Sequence, residues 1–276
     1  EGIVVTGFDA ATQHGVTTTL GRGGSDYTAT IIGAAVKADE IWICSDVDGL
    51  MTADPRIVPD AKLLDAISFA ESLEMGQFGA KSMHPRALEP AAEYGIPVRI
   101  RHSFNPKCAG TLITGQVSSD ELIRSVHLLK DCALLTIAGA NMVGRPGTAA
   151  RVFGALADDG INIQMISQTV SEAGISIVVA GSQFDRARAA LERKLLQAKT
   201  ARRIDVEEGA AVVAVVGSAM RGIPGIAARV FGAIARRGIN VEAIAQGSSE
   251  LSICFVVKGQ AGPDAVRALH DAFALA

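Results

Sequence analysis

Residues 144–179 read GRPGTAARVFGALADDGINIQMISQTVSEAGISIVV, and residues 222–257 read GIPGIAARVFGAIARRGINVEAIAQGSSELSICFVV. Arg151 matches Arg229 at an offset of 78, and Ser176 matches Ser252 at an offset of 76. Two residues are therefore expected to be lost between Gln246 and Ser252. A match of this length makes the second half of the chain a duplicated unit.

Each copy has the periodicity of a small α/β unit. In the second, Ile226, Val230, Phe231 and Ile234 recur at helical spacing, while Arg229, Arg236 and Arg237 face elsewhere. Gly238 ends that helix, and Gly160 ends its counterpart. INVEAIAQ then alternates, with Ile239, Val241, Ala243 and Ala245 on one face and Asn240, Glu242 and Gln246 on the other. LSICFVV is the next strand and GPDAVRALHDAFAL a second helix. The order β-α-β-β-α is a ferredoxin-like split unit short of its last strand. The first copy finds that strand in RRIDVEE, residues 202–208. The second copy has none after its helix, whereas LIRSVHLL, residues 122–129, is strand-like and unpaired. This stretch is expected to close the second sheet, so that the first unit is inserted within the second.

With the PG-helix-GIN pattern in both copies, residues 122–276 resemble a tandem of ACT domains, the small amino-acid-sensing modules of biosynthetic enzymes. The resemblance implies an effector site where the loop before the first helix meets the start of the second strand. In the first copy it falls on residues 144–148, including Gly147 and Thr148, with Asn162, Ile163 and Gln164. In the second it falls on residues 222–226, including Gly225 and Ile226, with Asn240, Val241 and Glu242. Open amides at a helix start suit a carboxylate, and a polar strand face suits an ammonium. The plainer reading of Asn162 and Asn240 is that each caps the turn after its glycine. The expected division is a segment over 1–116, a first ACT unit over 131–208, and a second over 122–130 plus 209–276.

Composition narrows the rest. At 276 residues the chain favours two or three domains, and 49 % hydrophobic against 20 % charged residues leaves a sizeable core available. A net charge of −3 with no basic run argues against nucleic acid as a partner. No apolar stretch reaches the roughly 20 residues that cross a bilayer. The four cysteines are far apart and read as reduced thiols of a cytoplasmic protein. The five histidines are equally scattered, so no metal site is expected from protein side chains.

The first half alternates strands and helices. GIVVTGF reads as a strand, SDYTATIIGAAVKA as a helix capped by Ser25 or Asp26, and EIWICSD as a buried strand ending at Asp46. The loop VDGLMTADPR follows, then helical FAESLEM and PRALEPAAEYG, and the strand PVRIR. Such alternation implies a mostly parallel sheet with ligands at the carboxyl ends of its strands. DVDG alone resembles part of a calcium loop, but Cys44 stands where the first ligand should be.

Taken in order, LGRGGSDYTA, SDVDGLMTADPR and FGAKSMHP resemble the aspartokinases, members of the amino acid kinase family, and the ACT pair strengthens the likeness. The resemblance implies the C-terminal part of a kinase α/β sandwich that transfers the γ-phosphoryl group of ATP, with Mg2+, to the side-chain carboxylate of L-aspartate. Phosphoryl transfer asks for cationic clamps and positioning. Arg22 matches the arginine that grips aspartate, Gly23 and Gly24 permit close backbone approach, and Ser25 completes the substrate turn. Asp26 matches an acidic catalytic residue that orients either the substrate ammonium or the catalytic lysine. The bland readings are a surface charge for Arg22 and a helix cap for Asp26. Ser45 and Asp46 open the implied nucleotide loop, Asp54 and Arg56 close it, and Lys81 approaches the phosphates. Met51 stands where the family often stacks an aromatic ring, and His84 is assigned to helix-start packing.

The family's Lys-Phe-Gly-Gly motif has no counterpart in this sequence, so the chain by itself is expected not to complete the reaction. The competing reading is a non-catalytic amino-acid-sensing chain that partners a complete kinase subunit. The resemblance implies threonine or lysine as effector. Neutral Gln164 offers no carboxylate to a lysine ammonium, which favours threonine. The ending RALHDAFALA reads as a natural terminus, against a fused homoserine dehydrogenase. Open sheet edges favour a homo-oligomer joined through the ACT units.

Overall fold

The computed structural model describes residues 2–78, 85–117 and 121–275. A short antiparallel hairpin, β1 (Asp9–Ala11) and β2 (Thr17–Thr19), leads into α1 (Gly24–Ala35) and β3 (Ile41–Ser45). After a long loop come β4 (Ala66–Ser68), α2 (Phe69–Gln77), α3 (Pro85–Glu93), β5 (Val98–His102) and β6 (Thr111–Thr114). The four-stranded sheet has the order β3-β5-β6-β4. β3 and β5 are parallel, as are β4 and β6, while β5 and β6 are antiparallel. Its core joins Ile43, Ile67, Val98, Ile100 and Ile113 to Met75, Leu88 and Ala91 of the helices. Gly33 lets α1 lie against β3, since a Cβ there would stand 2.5 Å from the Ile41 side chain.

Two expectations fail in this part. GIVVTGF is not a strand: no described strand pairs with residues 2–7, and Ile3 and Val4 are more than 90 % exposed. Apolar β-branched chemistry makes a strand only where a neighbour supplies hydrogen bonds. EIWICSD is half buried, because β3 is the edge of its sheet and only one face meets the core. Trp42 and Cys44 point outward, and the Arg101 guanidinium lies 4.4 Å above the Trp42 ring.

The second half forms one six-stranded sheet. Its elements are β7 (Ser125–Ala138), α4 (Thr148–Asp158), β8 (Met165–Gln168), β9 (Gly174–Ala180), α5 (Phe184–Leu191), β10 (Arg203–Val216), α6 (Ile226–Arg236), β11 (Ala243–Gln246), β12 (Ser252–Lys258) and α7 (Gly262–Ala272). The strand order is β11-β12-β10-β7-β9-β8. β7 and β10 pair antiparallel from Arg203↔Ala138 to Val216↔Ser125. The register is interrupted around Ala210, and nearby Asp131 and Gly209 have positive φ of 55° and 66°. Each long strand therefore serves two sheets. The far half of β7 with β8, β9 and the near half of β10 makes one βαββαβ unit. The far half of β10 with β11, β12 and the near half of β7 makes the other. The first unit is inserted within the second.

The strands differ in extent from the sequence reading. LIRSVHLL enters its strand only at Ser125 and runs on to Ala138, and RRIDVEE continues to Val216. INVEAIAQ becomes a strand only at Ala243, although Glu242 N–H already donates to the Val256 carbonyl. The repeat also loses no residues. Ala138↔Gly174 corresponds to Val216↔Ser252, and Met165↔Val178 to Ala243↔Val256, so the offset stays at 78 and Ser252 matches Gly174. A slip of two along a strand returns every side chain to the same face, so matching by side-chain character did not detect it.

Helices cover one face of the sheet in both units. Phe255, Val213, Val230, Ile234 and Leu269 centre the second core, and Leu135, Ile177, Val152, Leu156 and Leu191 the first. Burying each such side chain is worth about 1.5–3 kcal/mol. On the other face Cys132, Met165, Val178, Val212 and Val256 form a smaller cluster, on which Phe78 rests.

The first half docks on the second unit. Ser68 caps α2, and Glu71 closes a capping box by accepting from Ser68 N–H (2.9 Å) and Ser68 hydroxyl (2.8 Å). Its other oxygen accepts from Ser218 N–H at 2.8 Å, at the loop preceding α6. Glu74 accepts from the Ser252 hydroxyl at 2.7 Å, and Arg124 donates to the Ala66 carbonyl at 2.6 Å. The equivalent face of the first unit carries Arg202 where the second has Arg124, and Gly139 and Ala140 for Gly217 and Ser218. There Gly139, Ala140, Val143, Arg202 and Arg203 border a hollow of about 310 Å³.

Burial pushes the Glu71 carboxyl up, but the bonds from Ser68 and Ser218 outweigh it and hold the group below the usual glutamate value. A depressed folded pKa adds stability above the unfolded value, near 4.5, that is lost as pH falls through the folded value. Glu71→Ala strands two or more buried donors and is expected to lower stability by about 2–4 kcal/mol in urea unfolding. Glu71→Gln is expected to flatten the acid-side loss of stability in the same experiment across pH 3 to 5, roughly.

Candidate active site and effector loops

The turn at residues 20–24 is shaped by two close approaches. A Cβ on Gly24 would stand 2.9 Å from Leu20 Cβ and 3.0 Å from the Phe8 ring, so only glycine fits without displacement. Gly23, at φ 71°, caps α1 with its own carbonyl, which accepts from Tyr27 N–H at 2.9 Å. The cap is therefore Gly23, not Ser25 or Asp26, because a left-handed glycine starts the helix before either side chain can. Ser25 and Asp26 lie in the first turn of α1, and Arg22 stands exposed on the turn itself. With its cap role gone, Asp26 is a half-buried carboxylate at a helix start whose burial pushes its pKa up.

α1 ends beside the start of β3, so the start of α1 lies toward the carboxyl end of that strand. Arg22 and Asp26 thus share an edge of the sheet with Ser45 and Asp46. Ser45 Oγ donates to Asp46 Oδ1 at 3.2 Å, and the Ser45 carbonyl accepts from Ser103 N–H at 2.8 Å. The loop beyond is pinned along its length. Asp48 accepts from Asn105 at 3.0 Å, Leu50 N–H donates to Thr111 Oγ1 at 2.9 Å, and Met51 bridges to Leu63. Met51 is half buried, whereas Ala53, Ile57 and Val58 are sunk in the core of the second unit. Asp54 and Arg56 are each other's partners: Arg56 Nη2 donates to Asp54 Oδ2 at 2.7 Å and Nε to Oδ1 at 3.0 Å. The Arg56 bond holds the Asp54 carboxyl below its ordinary range, and the Arg56 side chain is 82 % exposed. α2 ends at Gln77, and Lys81 and His84 lie outside the described residues.

The loops before α4 and α6 have one design. Gly147 (φ 83°) and Gly225 (φ 91°) cap α4 and α6, accepting from Arg151 N–H at 3.1 Å and Arg229 N–H at 3.0 Å. Gly144 N–H donates to Glu172 at 2.8 Å, and Gly222 N–H donates to Glu250 at 2.7 Å. A cavity of about 330 Å³ opens at the first loop, lined by residues 144–149 with Gln168, Glu172 and Ile175. Gly147 and Thr148 thus line it, while Asn162, Ile163 and Gln164 do not. Gln164 turns instead toward the Cys132 thiol at 3.5 Å. Neither Asn162 nor Asn240 caps a turn among the described residues. In the second unit Ile226 is buried, Val241 is half buried, and Glu242 has one oxygen buried without a partner among the described residues. Burial, then the charge of Glu207, pushes the Glu242 carboxyl up. The sequence reading missed Gln168, Glu172 and Glu250. The two acids share the offset of 78 and could have been found from it.

Two family profiles match the chain, the amino acid kinase family over residues 2–102 and the ACT domain over residues 135–195 and 213–273. The bifunctional aspartokinase/homoserine dehydrogenase 1 of Zea mays is 40 % identical over 283 residues, which is 100 % of this chain and 31 % of the relative. Lysine-sensitive aspartokinase 3 of Escherichia coli is 37 % identical over 98 % of this chain and 60 % of its own length. The chain belongs to the aspartokinase family. It covers the C-terminal part of the kinase domain and the ACT pair, and it spans about a third of the bifunctional relatives' length. E. coli aspartokinase III, solved with aspartate and ADP, superposes with a TM-score of 0.81 at 37 % identity over 96 % of this chain and 59 % of that one. The Clostridium acetobutylicum aspartate kinase gives 0.87 at 29 % identity, over 97 % and 62 %.

Half-burying the Asp26 carboxylate holds a charge there at the expense of stability. Asp26→Asn is accordingly expected to melt at or slightly above the parent temperature by differential scanning calorimetry.

Proposed function

We propose that this chain carries the substrate turn, the nucleotide loop and the regulatory tail of an aspartate kinase. In this reading a side-chain carboxylate oxygen of L-aspartate attacks the γ-phosphorus of MgATP. The bond to the bridging oxygen breaks, and ADP leaves with that electron pair. Arg22 grips an aspartate carboxylate with its guanidinium fork, while Gly23, Gly24 and Ser25 offer backbone at close range. Asp26 orients the substrate ammonium or the catalytic lysine. Ser45, Asp46, Met51, Asp54 and Arg56 hold the nucleotide, and Lys81 approaches its phosphates. The single observation that carries this reading is that the glycine-shaped turn at the start of α1 lies toward the carboxyl end of β3, where Ser45 and Asp46 stand.

The regulatory part of the reading is an effector amino acid at the first loop, where the cavity lies. Glu172 borders that cavity and Gln164 does not, so the neutrality of Gln164 no longer separates threonine from lysine. E. coli aspartokinase III has been solved with lysine and aspartate. Outer strands β8 and β11 keep equivalent Ile166 and Ile244 exposed, which supports assembly of a homo-oligomer through the ACT units.

In the full-length protein, trapping the acyl phosphate with hydroxylamine is expected to give hydroxamate that depends on both ATP and L-aspartate. Arg22→Ala is expected to raise KM for aspartate about ten-fold or more, the loss of one charged bidentate contact. Turnover without aspartate dependence, or an unchanged KM in the variant, would sink the assignment. Calorimetric titration with L-threonine and with L-lysine separates the two effectors, and Gly147→Val at the cavity rim should abolish the heat.

A further inference from the structure

We propose that His270, in the last helix of the second ACT unit, is a positioning residue for the nucleotide loop. The inference rests on reading residues 45–56 as that loop. His270 is 1 % exposed and Thr52 5 %, and His270 Nε2 lies 3.0 Å from Thr52 Oγ1. Thr52 Oγ1 already accepts from Lys62 N–H at 2.9 Å. The hydroxyl keeps a second lone pair and its proton, so it donates to a bare Nε2 or accepts from Nε2–H according to the imidazole tautomer, and either way the contact ties the loop to α7.

Thr52 is held from three further directions. Its N–H donates to the Lys62 carbonyl at 2.9 Å, its carbonyl accepts from Val126 N–H at 2.8 Å, and Ala53 beside it is buried in the second core. One turn before His270, Arg267 reaches the Ile57 carbonyl at 3.3 Å, just past Arg56. Thr52 sits between Met51 and the Asp54–Arg56 pair, so helix α7 sets where all three stand. His270 touches no nucleotide in this arrangement; it acts through Thr52 by fixing the loop's height over the sheet edge.

The test is steady-state kinetics of the full-length enzyme. His270→Leu is expected to raise KM for MgATP at least five-fold, with kcat reduced less than two-fold and KM for aspartate unchanged. Thr52→Val, which puts a methyl in place of the hydroxyl and also leaves Lys62 N–H without its acceptor, should give at least the same split. His270→Gln, whose amide can accept from Thr52 or donate to it, should recover most of the parent's KM. A parent enzyme with no ATP- and aspartate-dependent turnover overturns the underlying assignment. An active parent whose Thr52→Val and His270→Leu forms keep its KM for MgATP overturns the role of His270. So does a loss in His270→Leu that His270→Gln does not repair, or one that raises both KM values alike.

Discussion

Two fourteen-residue strands, paired antiparallel from end to end with one interruption around Ala210, are the constraint on which the second half depends. β7 and β10 each lend one half to each ACT unit, so neither unit owns a complete sheet. The local change of register around Ala210, with left-handed residues at Asp131 and Gly209, divides the ladder into the part used by one unit and the part used by the other within a single six-stranded sheet. Because residues 125–138 must find residues 203–216 across the whole inserted unit, this pairing closes a long loop before it gains any ladder bonds. The helices α4, α5, α6 and α7 then cover faces that exist only once the two strands have met.

The kinase segment is fastened to this frame by polar groups that are individually satisfied. Glu71 serves a capping box and the Ser218 amide at once. Thr52 serves its own loop and α7. Buried polar groups fixed on both sides resist small shifts, because moving either partner leaves a donor or acceptor without water or protein to replace it. The loop after β3 is thus built partly from contacts with the second unit, whose core includes Ala53, Ile57 and Val58.

Much of this was legible in the sequence. The apolar stripe of Ile226, Val230 and Ile234 gave away its helix, the paired PG and GIN motifs gave away the duplication, and the unpaired LIRSVHLL gave away the insertion. The glycine turn, the Ser45–Asp46 strand end and the DPR loop gave away the kinase segment by their order. Strand limits were not legible, because Leu128 and Leu129 look the same whether a strand stops there or bends and continues. A slip of two residues hid the constant repeat offset, since strand faces repeat every two residues. The helix cap was misplaced because Gly23 caps through its backbone, which leaves no side-chain signature. The Thr52–His270 contact joins residues 218 apart in sequence, a separation that local pattern cannot bridge.

The two halves of the repeat have not been left equal. Around Gly217 every side chain answers to two structures, its own unit and the kinase helix seated on it through Glu71, Glu74 and Arg124. Around Gly139 the matching surface opens onto the hollow beside Arg202 and Arg203. A side chain at Ser218 therefore has to suit helix α2 as well as its own unit, whereas its counterpart Ala140 borders only the hollow.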